Sequence, residues 1–80
     1  MNISGVLVTA SPGRANHLQQ RLETLTGVEV HAQTPAGQLV VTVEAESDEQ
    51  GHEALGSLER LEHVQCAALV YHYRDPVEEA

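Results

Sequence analysis

The sequence predicts an α+β sandwich in which one four-stranded antiparallel sheet carries two helices on a single face. Three observations lead to this fold. Four segments alternate apolar and other residues with the period of two that is typical of half-buried strands. Two further segments carry apolar residues at spacings of three and four, as amphipathic helices do. Their order is strand, helix, strand, strand, helix, strand, which is typical of the split βαβ, or ferredoxin-like, sandwich.

The first half of the chain supplies a strand, a helix and a second strand. Residues 3–10 alternate and predict the first strand. The helix is expected to begin with Ser11 as its N-cap and Pro12 at its first position, and to end at Gly27 in a left-handed conformation. Residues 28–33 alternate again and predict the second strand. Its core-facing residues are expected to be Val28, Val30 and Ala32.

The third strand follows a Pro-Ala-Gly turn at residues 35–37. Leu39, Val41 and Val43 occupy alternate positions and should face the core. Val40 stands among the residues that should be solvated, although an open sheet face normally carries polar side chains. This apolar residue is the first indication of a binding surface.

The second helix and the last strand complete the fold. Ser47 and Gln50 match a capping box that opens the helix. The residues expected to be buried by this helix are Ala54, Leu55, Leu58 and Leu61. The last strand is predicted over 64–73, and 75–80 is an acidic tail expected to fray. Residues 1–80 are therefore expected to form one domain with the strand order 4-1-3-2, the first and third strands being central.

The last strand allows two facings. In the one that we favour, Val64 closes the core from the loop, and Ala67, Leu69 and Tyr71 face the helices. The side chains on the other face are then Cys66, Ala68, Val70 and His72. The opposite facing exchanges the two sets.

With the favoured facing, the sheet face away from the helices presents a strip of small and aliphatic side chains. The residues expected to bind a partner there are Leu7, Thr9, Val40, Thr42, Ala68, Val70 and His72. Glu29 and Glu44 are expected to flank them as acidic residues. Scattered surface aliphatics are common and carry no function. A contiguous apolar strip across neighbouring strands instead indicates a binding platform.

Composition narrows the classes of function. The formal net charge of −8 argues against nucleic acid and favours a cationic partner. A single cysteine, Cys66, cannot form an internal disulfide. No apolar run reaches transmembrane length, and the first residues lack the basic start of a signal peptide. We therefore expect a cytoplasmic protein without membrane insertion.

Motifs for catalysis and for cofactors are lacking in the sequence. The five histidines have no ligand-like spacing, and none lies next to Cys66. There is no Cys-x-x-Cys in the first loop, no stacking aromatic residue on the central strands and no glycine-rich phosphate loop. We therefore expect no metal, no cofactor and no catalytic residues, and the chain is not expected to be an enzyme.

Three strand segments carry a resemblance to a known family. They are Val6-Leu7-Val8-Thr9-Ala10, Gly37-Gln38-Leu39-Val40-Val41-Thr42-Val43-Glu44-Ala45 and Leu69-Val70-Tyr71-His72. Gly27 before the second strand and Val64 before the fourth also fit. Together these features resemble the NapD family, cytoplasmic chaperones of the periplasmic nitrate reductase, over nearly the whole chain.

The resemblance implies a chaperone that binds the twin-arginine signal peptide of the catalytic subunit of that reductase. Binding would delay export by the twin-arginine translocation (Tat) route until the molybdenum cofactor and the iron–sulfur cluster are inserted. Such a peptide is cationic at one end and apolar after it, which suits an acidic domain with an apolar strip. Its apolar part is expected to lie as a helix on the open face or to add as a strand at an exposed edge. The chain is expected to be a monomer or a weak dimer.

Two other functions are compatible with the same fold. A small dimeric ligand-sensing or regulatory module would pair sheets or edges and bind its ligand at the interface. An accessory subunit would bind the mature enzyme even when the signal peptide is missing.

Overall fold

The computed structural model describes residues 2–74 and contains six elements in the predicted order. They are β1 (Asn2–Ala10), α1 (Ala15–Glu23), β2 (Val28–Gln33), β3 (Gln38–Ala45), α2 (Asp48–Glu59) and β4 (Val64–Arg74). The strands form an antiparallel sheet in the order β2-β3-β1-β4, which is the predicted order read from the other edge. The ferredoxin-like sandwich is therefore confirmed. The predicted acidic tail, 75–80, lies outside the described residues.

The core lies between one face of the sheet and the two helices. The buried residues of this core are Val6, Val8, Ala10, Leu18, Leu22, Leu39, Val41, Val43 and Leu58. Val41 is completely buried, whereas its neighbour Val40 is 40% exposed. The predicted facing of the third strand is therefore confirmed. We call the sheet face that neither helix covers the open face.

The first helix begins later than predicted. Arg14, and not Ser11, is its N-cap, and no side chain caps it. Gly13 has a φ of +78°, a left-handed conformation that does not occur inside a right-handed helix. The Arg14 N–H donates to the Ser11 carbonyl oxygen at 3.0 Å, which closes a turn over residues 11–14. Pro12 therefore belongs to this turn and not to α1.

Gly27 has the predicted left-handed conformation, with a φ of +80°. The helix itself ends earlier, at Glu23, and a turn connects it to β2. A Cβ on Gly27 would lie 3.0 Å from the Glu44 carbonyl oxygen. The Gly27 carbonyl oxygen in turn accepts the Glu44 N–H at 2.8 Å. Glycine is therefore required here both for its φ and for the close approach of β3.

The start of α2 is capped as predicted, with one difference. The Ser47 hydroxyl accepts the Gln50 N–H at 3.2 Å, so Ser47 is the N-cap. The Gln50 side chain reaches back, but its Oε1 accepts the N–H of Glu46 at 3.0 Å and not that of the cap itself.

A bulge in β2 moves one residue to the other face. Val30 pairs with Val41, but Ala32 pairs with Val40, so one extra residue, His31, stands between the two pairs. Since Val40 belongs to the open face, Ala32 lies there too and is exposed. The predicted core position of Ala32 is therefore wrong.

A second bulge divides β4. Val6 pairs with Leu69 and Gly5 pairs with Tyr71, so Val70 is the extra residue between them. Val70 is 64% exposed. Because side chains alternate along a strand, one extra residue reverses the facing of everything that follows it. Each of the two facings allowed by the sequence is therefore correct on one side of Val70.

The reversal changes two predicted positions. Tyr71, expected in the core, lies on the open face and is 51% exposed. His72, expected on the open face, lies on the helix side. Its Nε2 is 3.7 Å from the Asp48 carboxylate, and its Nδ1 is 3.4 Å from the Ser4 hydroxyl oxygen. Before the bulge, Ala67 packs against the core as expected.

The Tyr71 ring lies over Gly5 of the neighbouring strand. A Cβ on Gly5 would overlap the ring, and Gly5 is itself buried. Glycine in the interior of a strand often marks such a close approach. The missing side chain thus provides the space in which the tyrosine lies.

Truncation on the two faces of β3 should have unequal effects. Val41→Ala should lower the free energy of unfolding by about 1–3 kcal/mol, because it leaves a cavity in the core. Val40→Ala removes the same atoms from an exposed site and should change the free energy of unfolding by less than about 0.5 kcal/mol. Urea denaturation measures both values. Equal losses would show that β3 does not face the core as described.

Gly5→Ala should destabilise the protein by about 1 kcal/mol, because the new methyl group displaces the Tyr71 ring. Gly56→Ala is the matched control within α2, where the nearest atom to an added Cβ is the end of the Arg60 side chain, 3.7 Å away. That control should stabilise by about 0.5–1 kcal/mol. Thermal denaturation and the aromatic NMR signals of Tyr71 report the outcome. If Gly5→Ala raised the stability and left the NMR signals of Tyr71 unmoved, the contact between the Tyr71 ring and Gly5 would be contradicted.

Candidate functional site

Side chains on the open face form rows, because antiparallel pairing places residues of neighbouring strands side by side. One row crosses all the strands of the sheet and consists of Ala32, Val40, Leu7 and Ala68. The two alanines and Val40 are exposed, and Leu7 is half-buried. We call this set the apolar row. It contains Leu7, Val40 and Ala68 of the predicted strip, and the bulge that turns Ala32 outward extends it to β2.

Acidic and aromatic side chains lie on the open face toward the start of β1. Ile3 pairs with Glu44 on one side and with Tyr73 on the other. In the next row, Gly5 pairs with Tyr71 on one side and with Thr42 on the other, and Thr42 pairs with Glu29. We call Glu29, Glu44, Tyr71 and Tyr73 the acidic–aromatic end. Both glutamates therefore lie on the same side of the apolar row, toward the start of β1.

Hydrogen bonding ties β2 to β3 between these two regions. His31 Nε2 lies 2.7 Å from the Thr42 hydroxyl oxygen and 3.7 Å from a Glu29 carboxylate oxygen. His31 is the extra residue of the β2 bulge, which explains why its ring reaches across to the neighbouring strand. Thr42 is therefore engaged by this imidazole.

Most of the predicted binding residues come together on the open face. Those that share it are Leu7, Thr9, Val40, Thr42 and Ala68, with Glu29 and Glu44 beside them. Thr9 lies at the far end, where it pairs with Cys66. Val70 is the exposed bulge residue, and His72 is on the other side of the sheet.

Tyr71 and Tyr73 were missed as open-face residues. Tyr71 was predicted in the core and Tyr73 was given no facing, because the alternation pattern contains no trace of the extra residue at position 70. Gly5 is the signal that could have found them, since a glycine within a strand indicates a bulge or a close approach by another group.

A recess of about 240 Å³ lies on the opposite side of the sheet, between β4 and the start of α2. Its lining includes Leu69, His72, His52 and Asp48. The Asp48 carboxylate accepts a hydrogen bond from the Asn2 side chain at 2.7 Å and also faces His72. These polar groups join the ends of β1 and β4 to α2.

Residues 2–74 contain no cluster of three or more side chains suited to hold a metal ion. None of their helices has the length and apolar character needed to span a membrane.

The sequence matches a family model described as NapD protein over residues 1–76. Chaperone NapD of Escherichia coli strain K12 is 32% identical over 74 residues, which are 91% of this chain and 85% of that protein. Chaperone NapD of Paracoccus pantotrophus is 35% identical over 79 residues, which are 99% of this chain and 70% of that protein.

A solved structure has the same fold. The solution structure of the E. coli Tat proofreading chaperone protein NapD matches with a TM-score of 0.81 and 32% identity, over 92% of this chain and 79% of that one. These relatives are chaperones, which confirms the expectation of a protein that is not an enzyme. Because the family model spans nearly the whole sequence and the fold agrees with that of a solved relative, this chain belongs to the NapD family of chaperones.

Proposed function

We propose that this chain binds the twin-arginine signal peptide of the catalytic subunit of periplasmic nitrate reductase in the cytoplasm. Binding delays export of the subunit until its cofactors are inserted. The observation that carries the proposal is the open face, where an apolar row has acidic side chains along one side. Membership of the NapD family supports it, as does the similarity to a Tat proofreading chaperone.

The chemistry of the open face suits a peptide that is cationic at one end and apolar after it. The apolar segment would remove the exposed side chains of the apolar row from water, which favours binding. The two arginines would be attracted to a chain whose formal net charge is −8. Both interactions are available at the same time because the acidic residues border the apolar row without interrupting it.

We place the peptide on the face of the sheet and not along an edge. The apolar row crosses from Ala32 on one edge strand to Ala68 on the other. A strand added beside β2 or β4 would leave most of this row in water. A helix lying on the sheet covers it and satisfies its own backbone hydrogen bonds.

Val40→Glu tests this placement. Val40 is 40% exposed in the free protein, so a charge there should leave the melting temperature within a few degrees of the parent. In the complex the carboxylate would be buried against apolar peptide side chains, which is costly. We expect binding at least tenfold weaker, about 1.4 kcal/mol, by calorimetric titration with the synthetic signal peptide.

Gln20→Glu is the matched control, because it adds the same charge at an exposed position of α1, on the other side of the sheet. It should bind like the parent. A folded Val40→Glu protein that also binds like the parent would move the site away from the open face.

A further inference from the structure

The open face is chemically divided along the direction of its strands. Glu44 and Tyr73 flank Ile3, whereas the apolar row crosses β1 at Leu7. These two positions are four residue steps apart along an extended strand, a distance of about 13 Å. Beyond the apolar row, the face continues to Thr9 and Cys66 without a charged residue on β1 or β4. A ligand with two unlike ends therefore meets two unlike regions.

We propose that this division orients the signal peptide, with its two arginines at the acidic–aromatic end and its apolar segment over the apolar row toward Thr9. The inference rests on the proposed function and adds to it a direction and the side chains that recognise the arginines. Those side chains are Glu44, Tyr71 and Tyr73, with Glu29 beside them.

The tyrosines have the chemistry that a guanidinium group selects. Arginine is planar and always charged, and it stacks on aromatic faces while it pairs with carboxylates. The chain contains two tyrosines and no phenylalanine or tryptophan. Both tyrosines lie at the same end of the open face, and they are 51% and 54% exposed. Tyrosine and arginine are both enriched in protein interfaces, so a region that contains both tyrosines of the chain suits the recognition of arginine.

The contact with Gly5 orients one of these rings. Tyr71 rests on the Gly5 backbone, and about half of its surface stays exposed. A ring that is already held against the sheet loses little freedom when a second planar group stacks on it. The β4 bulge is what brings both tyrosines to this side.

Of the two glutamates on the open face, Glu44 is the nearer to the tyrosines. It is exposed, and it is separated from Tyr73 by Ile3 alone, which corresponds to about 10 Å across two strand spacings. Glu29 lies farther out on β2, and its carboxylate also faces His31 at 3.7 Å. Three of the four arginines, Arg14, Arg21 and Arg60, lie outside the strands, and the fourth, Arg74, is the last residue of β4 and pairs with Asn2.

Thermodynamic cycles with two peptides test which side chains contact the arginines. Glu44→Gln and Tyr73→Leu should each weaken binding of the native signal peptide by about three- to tenfold. A second peptide has both arginines replaced by glutamine and cannot make the contact that the variants remove. The variants and the parent protein should therefore bind this second peptide with the same affinity. Glu59→Gln on α2 removes the same charge from the helix side and should not discriminate between the two peptides.

The direction of the peptide is tested separately with a spin label on the native cysteine. Cys66 is exposed and lies at the end of the open face away from the tyrosines. A nitroxide there should broaden NMR signals of the apolar segment of the peptide more than those of its arginines. In the Cys66→Ser background, a label on Glu46→Cys, which follows β3 at the opposite end, should give the reverse pattern.

The outcomes separate the inference from the proposed function. If the parent binds the signal peptide but each variant loses the same affinity for both peptides, the orientation is overturned and the proposed function stays in place. The same holds if the two spin labels broaden the peptide signals uniformly or in the inverted pattern. A parent protein that does not bind the signal peptide at all would overturn both.

Discussion

The two helices cover only one face of the sheet, and the rest of the structure follows from this constraint. α1 has nine residues and α2 has twelve, and they bury their leucines against the alternate residues of β1 and β3. The described residues 2–74 provide no further layer for the other face. Its side chains therefore stay at the surface, and apolar ones such as Val40 remain available to a partner.

Local patterns were sufficient to predict the architecture. Apolar alternation in β3 separates Val41 from Val40, and this separation alone defines which side is core and which is open. Ser47 could be recognised as the cap of α2 because capping depends on residues only a few positions apart. The order of the elements then allowed few topologies, since crossover connections are almost always right-handed. For these reasons the apolar row was largely predictable.

The bulges were not predictable, because an extra residue becomes apparent only when a strand is paired with its neighbour. A period of two shows no irregularity at Val70, yet that residue sends Tyr71 to the open face and His72 to the helix side. The space over Gly5 favours this arrangement, since the tyrosine ring fits where no side chain is present. The acidic–aromatic end thus depends on pairing across β1 and β4, whereas the apolar row depends mainly on alternation within single strands.

Methyl NMR provides the most direct test that the signal peptide lies on the open face, because Val40 and Val41 are adjacent in sequence and lie on opposite faces. In a protein with labelled valine and leucine methyl groups, saturation with the synthetic signal peptide should shift the signals of Val40 and Leu7 and give intermolecular NOEs to them. The signals of Val41 and Leu18 should hardly move. Leu55 and Leu69 both line the helix-side recess between β4 and α2. NOEs from the peptide to these two residues, with unmoved signals of Val40 and Leu7, would contradict the placement.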